Sequence, residues 1–571
     1  MSSRSRSSSL SATSTATAAT SAADSSTTTI ILQDEHPAIK FDAEHDDARL
    51  DAAYDSKDLQ DPTPENKSSP PPLPFLPKPN TDPNLVKWDG PDDPQNPQNW
   101  SFWYKWWITA VCTITTLNVT FASSAPSSSV PIIAHHFHVG REVGDLILSL
   151  FLIGYMLGPI FWGPGSELVG RRPIFIGTLA MYTIFHIGQA CANNMTTLLV
   201  TRFICGFFAV APLTNGIGVI ADIWDPVSRG IATSMFASAV FLGPVLGPIV
   251  GSFITVSPLG WRWVFWVTMM FAGFCTLLAL FFIPETFAPV LLAQKAKRLR
   301  KADPEKNKDL YAESERVSWA PMAVLERTIF RPFKMLFVEP ILLLATIYLS
   351  VAYGVIYAMF QAIPVIFIRT RHFSISNDGL VFIGIGIGAV LATVVNLWFM
   401  RRYPSLLKEW YGFPPAEERL YSAMFGGPVL VIGILWLGWS GNYESVPWWV
   451  PALSTIFIGL AITLIFISFI SYLVDTYLMY AASALAGHTI IRSATGAAFP
   501  LFTTQMFVNL GINWAATLLG GTALLLAPMP FLFYKYGARI RSKSSFAPCI
   551  DLKVAKFLED EAAAVKGQQA V

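Results

Sequence analysis

Twelve long apolar runs decide what this chain can fold into. They lie near residues 106–127, 143–162, 173–191, 197–221, 231–256 and 263–283, then near 340–368, 379–400, 420–439, 448–473, 477–505 and 514–535. A helix needs about 20 apolar residues to cross the hydrocarbon core of a bilayer, and each run is of that order. In lipid every backbone N–H and C=O must find an internal partner, so spans of an open chain are helices. The expected fold is an all-α integral membrane protein with twelve transmembrane helices. Composition agrees: 52% of residues are hydrophobic and only 14% charged, where soluble domains hold about a quarter charged residues. A soluble enzyme is excluded. So is a nucleic-acid binder, since the formal net charge is +1 and no basic patch stands clear of the membrane ends. The five cysteines, Cys112, Cys191, Cys205, Cys275 and Cys549, are scattered and form no C-x-x-C. That pattern suits neither a disulfide framework nor a zinc site, and no metal or other cofactor is expected.

The polar stretches divide the chain. Residues 1–104 read as a disordered cytoplasmic tail, rich first in Ser and Thr and then in Pro, Asp and Asn. A Ser/Arg cluster at Ser2 to Ser9 reads as solvated tail, with phosphorylation as the alternative. No apolar segment follows Arg4 and Arg6, so the first span is expected to act as its own insertion signal. Residues 105–284 form a first six-helix bundle, 285–338 a cytoplasmic loop, 339–536 a second bundle, and 537–571 a cytoplasmic tail. With the N-terminus inside, the inner loops hold Arg171, Arg172, Arg229, Arg401, Arg402, Lys408 and Arg419, and the central loop is basic from Lys295 to Lys334. The outer loops hold only Arg141, Arg262, Arg369 and Arg371. That bias places both termini in the cytoplasm. Span 2 runs into Arg171-Arg172-Pro173, and span 8 into Arg401-Arg402-Tyr403-Pro404. This faint repeat predicts two pseudo-symmetric halves with a cavity between them, the usual plan of a carrier.

Three motifs lie in the first half. The turn after span 2 reads Gly163-Pro-Gly-Ser-Glu167-Leu-Val-Gly170-Arg171-Arg172. Its glycines permit a tight turn. Glu167, Arg171 and Arg172, with Asp222 and Arg229 of the next inner loop, form a candidate cytoplasmic gate of ion pairs that make and break. Span 4 carries Arg202 with Gly206 in Thr201-Arg202-Phe-Ile-Cys-Gly206. A charge there costs on the order of 2.5–3.5 kcal/mol on insertion scales, so it should face protein or water. Span 5 reads Gly243-Pro244-Val-Leu-Gly247-Pro248-Ile-Val-Gly251. Glycine at four-residue spacing lets another backbone approach closely, and the prolines allow bending. Span 8 has Gly384, Gly386 and Gly388, so spans 5 and 8 are candidates for a hinge or sliding contact.

These motifs, together and in this order, resemble the major facilitator superfamily, in which the span 5 pattern is associated with antiporters. The resemblance narrows to the fungal twelve-span drug:proton antiporters and the branch that includes polyamine/proton antiporters. It is carried by Trp88-Asp-Gly-Pro-Asp-Asp-Pro94 through Ser101, Trp261-Arg262-Trp263-Val-Phe265-Trp266, Pro284-Glu285-Thr286, Arg331-Pro332-Phe333 and Ala498-Phe499-Pro500-Leu501-Phe502. Glu167 stands where the wider superfamily usually has Asp. The resemblance implies proton-coupled export of a small molecule by alternating access.

The deep polar residues speak to cargo. Asn118, Asn215, Tyr353, Tyr357, Gln361, Tyr477 and Arg492 are the candidate substrate pathway, with Asn396 and His488 also deep. The spans carry almost no carboxylates away from their ends, which suits a neutral, amphiphilic or anionic cargo such as a glycolipid, organic acid or toxin. A polyamine, the alternative from the subfamily, would call for intramembrane carboxylates. Asp145, His186 and His488 are the candidate proton carriers. A transporter-like nutrient sensor is the reading from another class, and the lack of a large folded extension counts against it. No G-x-x-x-x-G-K-[ST] is present to bind ATP, and no paired carboxylates or His/Cys cluster suggest an enzyme. Lipid, protons and a small molecule are the expected partners of a monomer. The plasma membrane is the expected location, with the vacuolar membrane second.

Overall fold

The computed structural model describes residues 82–90, 92–316 and 326–558. Twelve long helices follow one another there: α1 (Phe102–Ser124), α2 (Arg141–Val169), α3 (Arg171–Ala190), α4 (Met195–Ile223), α5 (Pro226–Val256), α6 (Arg262–Phe282), α7 (Pro340–Pro364), α8 (Ile383–Phe399), α9 (Tyr421–Gly441), α10 (Trp449–Tyr477), α11 (Ala481–Asn509) and α12 (Ile512–Leu526, continued by Met529–Arg541). Ten are long and apolar enough to cross a membrane. The other two, α3 and α11, span 20 and 29 residues. Composition sets them apart: α3 opens on two arginines, and α11 is rich in Ala, Ser, Thr and Gly around His488 and Arg492. Twelve alternating helices bring both described chain ends to one face, here the terminal face.

Exposure separates lipid-facing helices from central ones. On α6 Met270, Phe274, Leu277 and Phe281 are the most exposed side chains and form a stripe at helical spacing. Val390, Leu391, Val394 and Trp398 form such a stripe on α8. By contrast α7 is buried along nearly its whole length. Lipid supplies no hydrophobic drive between helices, so close backbone packing has to hold them. Glycine provides it, and the internal repeat shows in where. In the first half, Gly154 and Gly158 of α2 meet the backbone of Phe203 and Phe207 on α4, and Gly206 answers against Phe151. In the second, Gly384 and Gly388 of α8 meet Ala452, Ile456 and Leu460 on α10, and Gly459 answers against Ile385.

The span 5 glycines turn the other way from the hinge expectation. Gly243, Gly247 and Gly251 face α1, against Leu117, Phe121 and Ala125. A Cβ on Gly247 would stand 2.9 Å from the Phe121 carbonyl oxygen. The seam between α5 and α8 is formed, and of the glycines expected there Gly386 takes part: it lies on Val245 and Leu242, while Gly379, on the short helix Ile375–Val381 before α8, lies on Ser252 and Pro248. Along it Ser238 hydrogen-bonds Thr393, and Asn396 donates to Ser234 at 3.4 Å. A second seam joins α2 to α11.

Order at the terminal face extends further than composition suggests. Residues 82–90 and 92–104, expected to belong to a disordered tail, are in place. Val86 packs with Ala296 and Ala312, and Lys295 on the helix Ala288–Ala302 pairs with Asp89 at 2.7 Å and Asp93 at 3.3 Å. This segment lacks an apolar core of its own and borrows one from the loop after α6. Residues 542–558, part of the expected C-terminal tail, fold beneath the second half. Ile550 and Val554 pack on Phe413, and Arg541 is buried between Glu417 (2.6 Å) and Asp551 (2.7 Å). The expectations for residues 1–81, 317–325 and 559–571 lie outside the described residues.

Candidate transport pathway

Arg492 is the cation at the centre. It sits midway along α11, 5% exposed, with its guanidinium carbon 4.7 Å from the Tyr353 ring centre and 5.8 Å from that of Phe466. Tyr353 comes from α7 and Phe466 from α10, so three helices of the second half build this aromatic slot. Its Nε has no hydrogen-bond partner, and no carboxylate pairs with the group among the described residues. Ser493 and Gly496 keep the α11 side small; Gly496 lies against the Tyr353 ring. His488, one turn away, is buried with both ring nitrogens unpartnered. In the first half Asn118 on α1, Tyr155 on α2 and Asn215 on α4 are also buried, with side-chain polar atoms that find no partner. Polar groups left bare in a low-dielectric interior are costly unless a ligand or water meets them.

Tyr357 stands one turn along α7 from Tyr353, and their hydroxyls lie 3.4 Å apart. Its hydroxyl also meets Ser123 of α1 at 2.9 Å, a bond between the halves. One more turn along α7, Gln361 belongs to the face opposite the terminal one. Its Nε2 donates to Asp145 of α2 at 3.0 Å, and its Oε1 accepts from Thr504 of α11 at 3.1 Å and Arg141 at 3.4 Å. Gln505 of α11 donates to Glu142 at 3.3 Å. Four expected pathway residues, Arg492, Tyr353, Tyr357 and Gln361, therefore lie on one line up α7 and α11, with Gln361 at its closed end. Tyr477 does not join them. It lies at the terminal end of α10 and donates to Glu339 at 3.3 Å.

The expected gate residues gather around Asp222. Arg171 Nε lies 3.3 Å from its Oδ2, Thr286 donates to the same oxygen at 3.1 Å, and Arg171 Nη1 donates to Ser166 at 2.7 Å. Gly170 has φ of 108°, a conformation that favours glycine, and turns the first amides of α3 toward Glu285. That carboxylate accepts from Arg171 N at 2.9 Å and Arg172 N at 3.2 Å, where the helix dipole favours an anion. Arg229 instead caps α4 through the carbonyls of Ala221 and Trp224. Gly163 faces open space. The cluster thus binds α2, α3, α4 and the strand of chain after α6 within one half. Glu285 and Thr286 were not expected in it; their place directly after span 6 was the available signal. A comparable pair in the second half joins Arg419 to Asp475 at 2.8 Å, with Tyr403, which follows the repeated Arg-Arg, on the same carboxylate at 2.9 Å.

Arg202 is wholly buried and neither snorkels nor faces a pathway. Pro126 has no N–H, so the carbonyl of Ala122, four residues earlier, loses its helical donor. Arg202 Nη1 fills that vacancy at 3.0 Å, while Nε donates to Ile147 O at 3.0 Å and Nη2 to Ser123 O at 3.4 Å. His186 is equally committed, with Nδ1 3.0 Å from Tyr182 O and 3.1 Å from Cys205 Sγ.

Two glycine-packed bundles, seams at α2–α11 and α5–α8, and unpartnered polar groups between them are what an assignment must accommodate. The sequence profile of the Major Facilitator Superfamily matches residues 112–500. The chain belongs to that superfamily. It is 40% identical over 474 residues to the citrinin biosynthesis cluster MFS transporter mrr1 of Monascus ruber, covering 81% of this chain and 92% of that one. It is 42% identical to the MFS-type efflux pump MFS2 of Trichophyton rubrum (84% and 80% covered) and 40% identical to the multidrug transporter FLU1 of Candida albicans (82% and 76%). Among solved structures the proton:xylose symporter XylE superposes with a TM-score of 0.55 at 19% identity, covering 77% of this chain and 96% of that one. At that identity the likeness shows the major facilitator fold alone. Superfamily membership makes this chain a multi-pass membrane protein of a transporter family.

Proposed function

We propose that the chain is a proton-coupled exporter working by alternating access, and that its cargo is an acidic, partly aromatic small molecule of the secreted-metabolite kind. The observation that carries the cargo reading is Arg492, buried between Tyr353 and Phe466 with no acid paired to it among the described residues. Unpaired charge in such a place calls for an anionic or acceptor-rich partner. A guanidinium grips a carboxylate with two parallel bonds, while the flanking rings and the amides of Asn118 and Asn215 suit a planar, oxygen-bearing body. Relatives that are efflux pumps and metabolite-cluster transporters support export. A polyamine would meet this cation without a compensating carboxylate.

The protein acts as a monomer in the plasma membrane with the terminal face in the cytoplasm, as the distribution of Lys and Arg supports. Its moving bodies are the halves 105–284 and 339–536, with the Arg171–Asp222 cluster as the cytoplasmic brace of the first. The test is export of fluorescein, an aromatic carboxylate, and of spermidine from cells lacking the native gene. Arg492→Ala is expected to cut fluorescein export by roughly tenfold or more at unchanged protein abundance, with Arg492→Lys between it and the native protein. Transport of spermidine alone, unaffected by Arg492→Ala, would overturn the cargo reading.

A further inference from the structure

Asp145 is a carboxylic acid buried where the two halves meet. It lies in the second turn of α2 and is 0% exposed. Its Oδ1 accepts one hydrogen bond, from Gln361 Nε2 of α7, and its Oδ2 has no partner. Gln361 is in turn held by Thr504 of α11 and by Arg141. The seam opposite the terminal face is therefore a polar clasp of α2, α7 and α11, and Asp145, the one fully buried ionisable group of that clasp among the described residues, is half satisfied.

The charged and titratable groups around it are few. Its own helix offers Arg141, an exposed cation one turn before it whose charge attracts the carboxylate and whose Nη2 donates a single long bond to Gln361 at 3.4 Å, and Glu142, which accepts from Gln505. The short helix Val130–His136, packed on Gly144, carries His135 and His136, both exposed. From α4 comes Arg202, committed to three carbonyls. The facing residues of α7 and α11 are the neutral Gln361, Thr504 and Gln505.

We infer that Asp145 is the proton switch of the outer seam: the seam closes over the neutral acid and opens when the acid ionises. A carboxylate shut in this place would keep one neutral hydrogen bond and lose its water, which is costly. The neutral acid keeps that bond and carries its proton on the unpartnered Oδ2. When the seam is open, a hydronium ion in external water gives its proton to Oδ2, an O–H bond forms and water is left. The neutral side chain then enters the seam. An exporter that has released cargo outward resets by closing this seam, so external acid speeds the reset. This rests on the exporter reading, with the terminal face cytoplasmic, and supplies its proton-sensitive step.

The test reads the seam directly. Spin labels are placed at the exposed positions Val143 of α2 and Val508 of α11 through cysteine substitution, with Cys191 and Cys549 replaced by Ser. Distances are measured in phospholipid vesicles from about pH 5 to about pH 8. The short-distance population should give way to a longer one as pH rises. Asp145→Asn should stay short throughout. Gln361→Ala removes the donor that steadies the closed carboxylate and weakens the clasp itself, so its transition should move to lower pH. Agreement of the Asp145→Asn distance with the native one at low pH shows that the variant is folded. An unchanged transition in Asp145→Asn would assign the response to another titratable group of the outer face, Asp378, His135, His136 or Glu142, and overturn the inference, as would a native seam indifferent to pH. Fluorescein export in the same vesicles separates the two readings. Export with a pH-indifferent seam sinks the switch alone; a responsive seam without export in any cargo test sinks the exporter reading and leaves the switch standing.

Discussion

Arg202 is expected to act as a brace for the broken end of α1, and its removal can be sized. Arg202→Met keeps most of the volume and loses the donors. Two bonds at 3.0 Å and a longer one at 3.4 Å disappear. A hydrogen bond from a charged group contributes about 1.5–3 kcal/mol in soluble proteins, while interhelical bonds in membranes average nearer ~0.6. The expected loss lies between those limits, roughly 2–4 kcal/mol, and should lower the melting temperature of a chain this long by about 2–3 °C. Melting can be followed in detergent with a thiol-reactive dye, because Cys112, Cys205 and Cys275 are buried until unfolding. The mechanism adds a sharper requirement. Pro126→Ala restores the N–H that Ala122 lacks, so Arg202→Met should cost about 1 kcal/mol less in that background. If the two costs add within about 0.3–0.5 kcal/mol, the sites are independent and the vacancy at Ala122 is not what Arg202 fills.

Gly247→Leu should drive α5 away from α1 and lower stability along with transport, where a sliding contact alone would spare stability; detergent melting and export of the same sample tell these apart. Arg541→Met removes both buried ion pairs of the terminal clasp and leaves Glu417 and Asp551 unpaired, a loss of about 3–5 kcal/mol for a broken buried pair, to be seen as faster proteolysis of residues 542–558. Amide donors, first that of Asp89, and then Lys295 hold the Asp93 carboxyl below its ordinary value. The stability this adds to the docked 82–104 segment is present above the ordinary carboxylate range and lost as pH falls through the depressed value. Hydrogen exchange of that segment should stay slow at neutral pH and rise in acid, and Asp93→Asn should exchange quickly at every pH.

The glycine patterns show how far residues alone reach. Four-residue spacing in Gly243-Pro-Val-Leu-Gly247 announced a close helix crossing, because the absent side chains say that something approaches. Which helix approaches depends on the rotation of α5 about its axis, which spacing leaves free, and it is α1. Gln361 and Tyr477 were legible as polar residues in apolar runs. Their depth was not, so one proved to close the far seam and the other to sit beside Glu339. Composition misread residues 82–104, because a segment too polar to make a core can still share one with Ala296 and Ala312.

The sequence by itself determined the twelve spans, the division into halves and the clustering of cationic residues at one face. Those follow from bilayer thickness, backbone hydrogen bonding and charge, each acting on a short stretch of chain. Only the tertiary structure decided the partners: Arg202 on the carbonyl that Pro126 leaves bare, Arg492 between two rings without an acid, Asp145 against Gln361 across the seam. A lone charge in a span has the same local sequence whether it is spent on carbonyls or left for a ligand. Residues far apart in the chain, brought together by packing, make that difference.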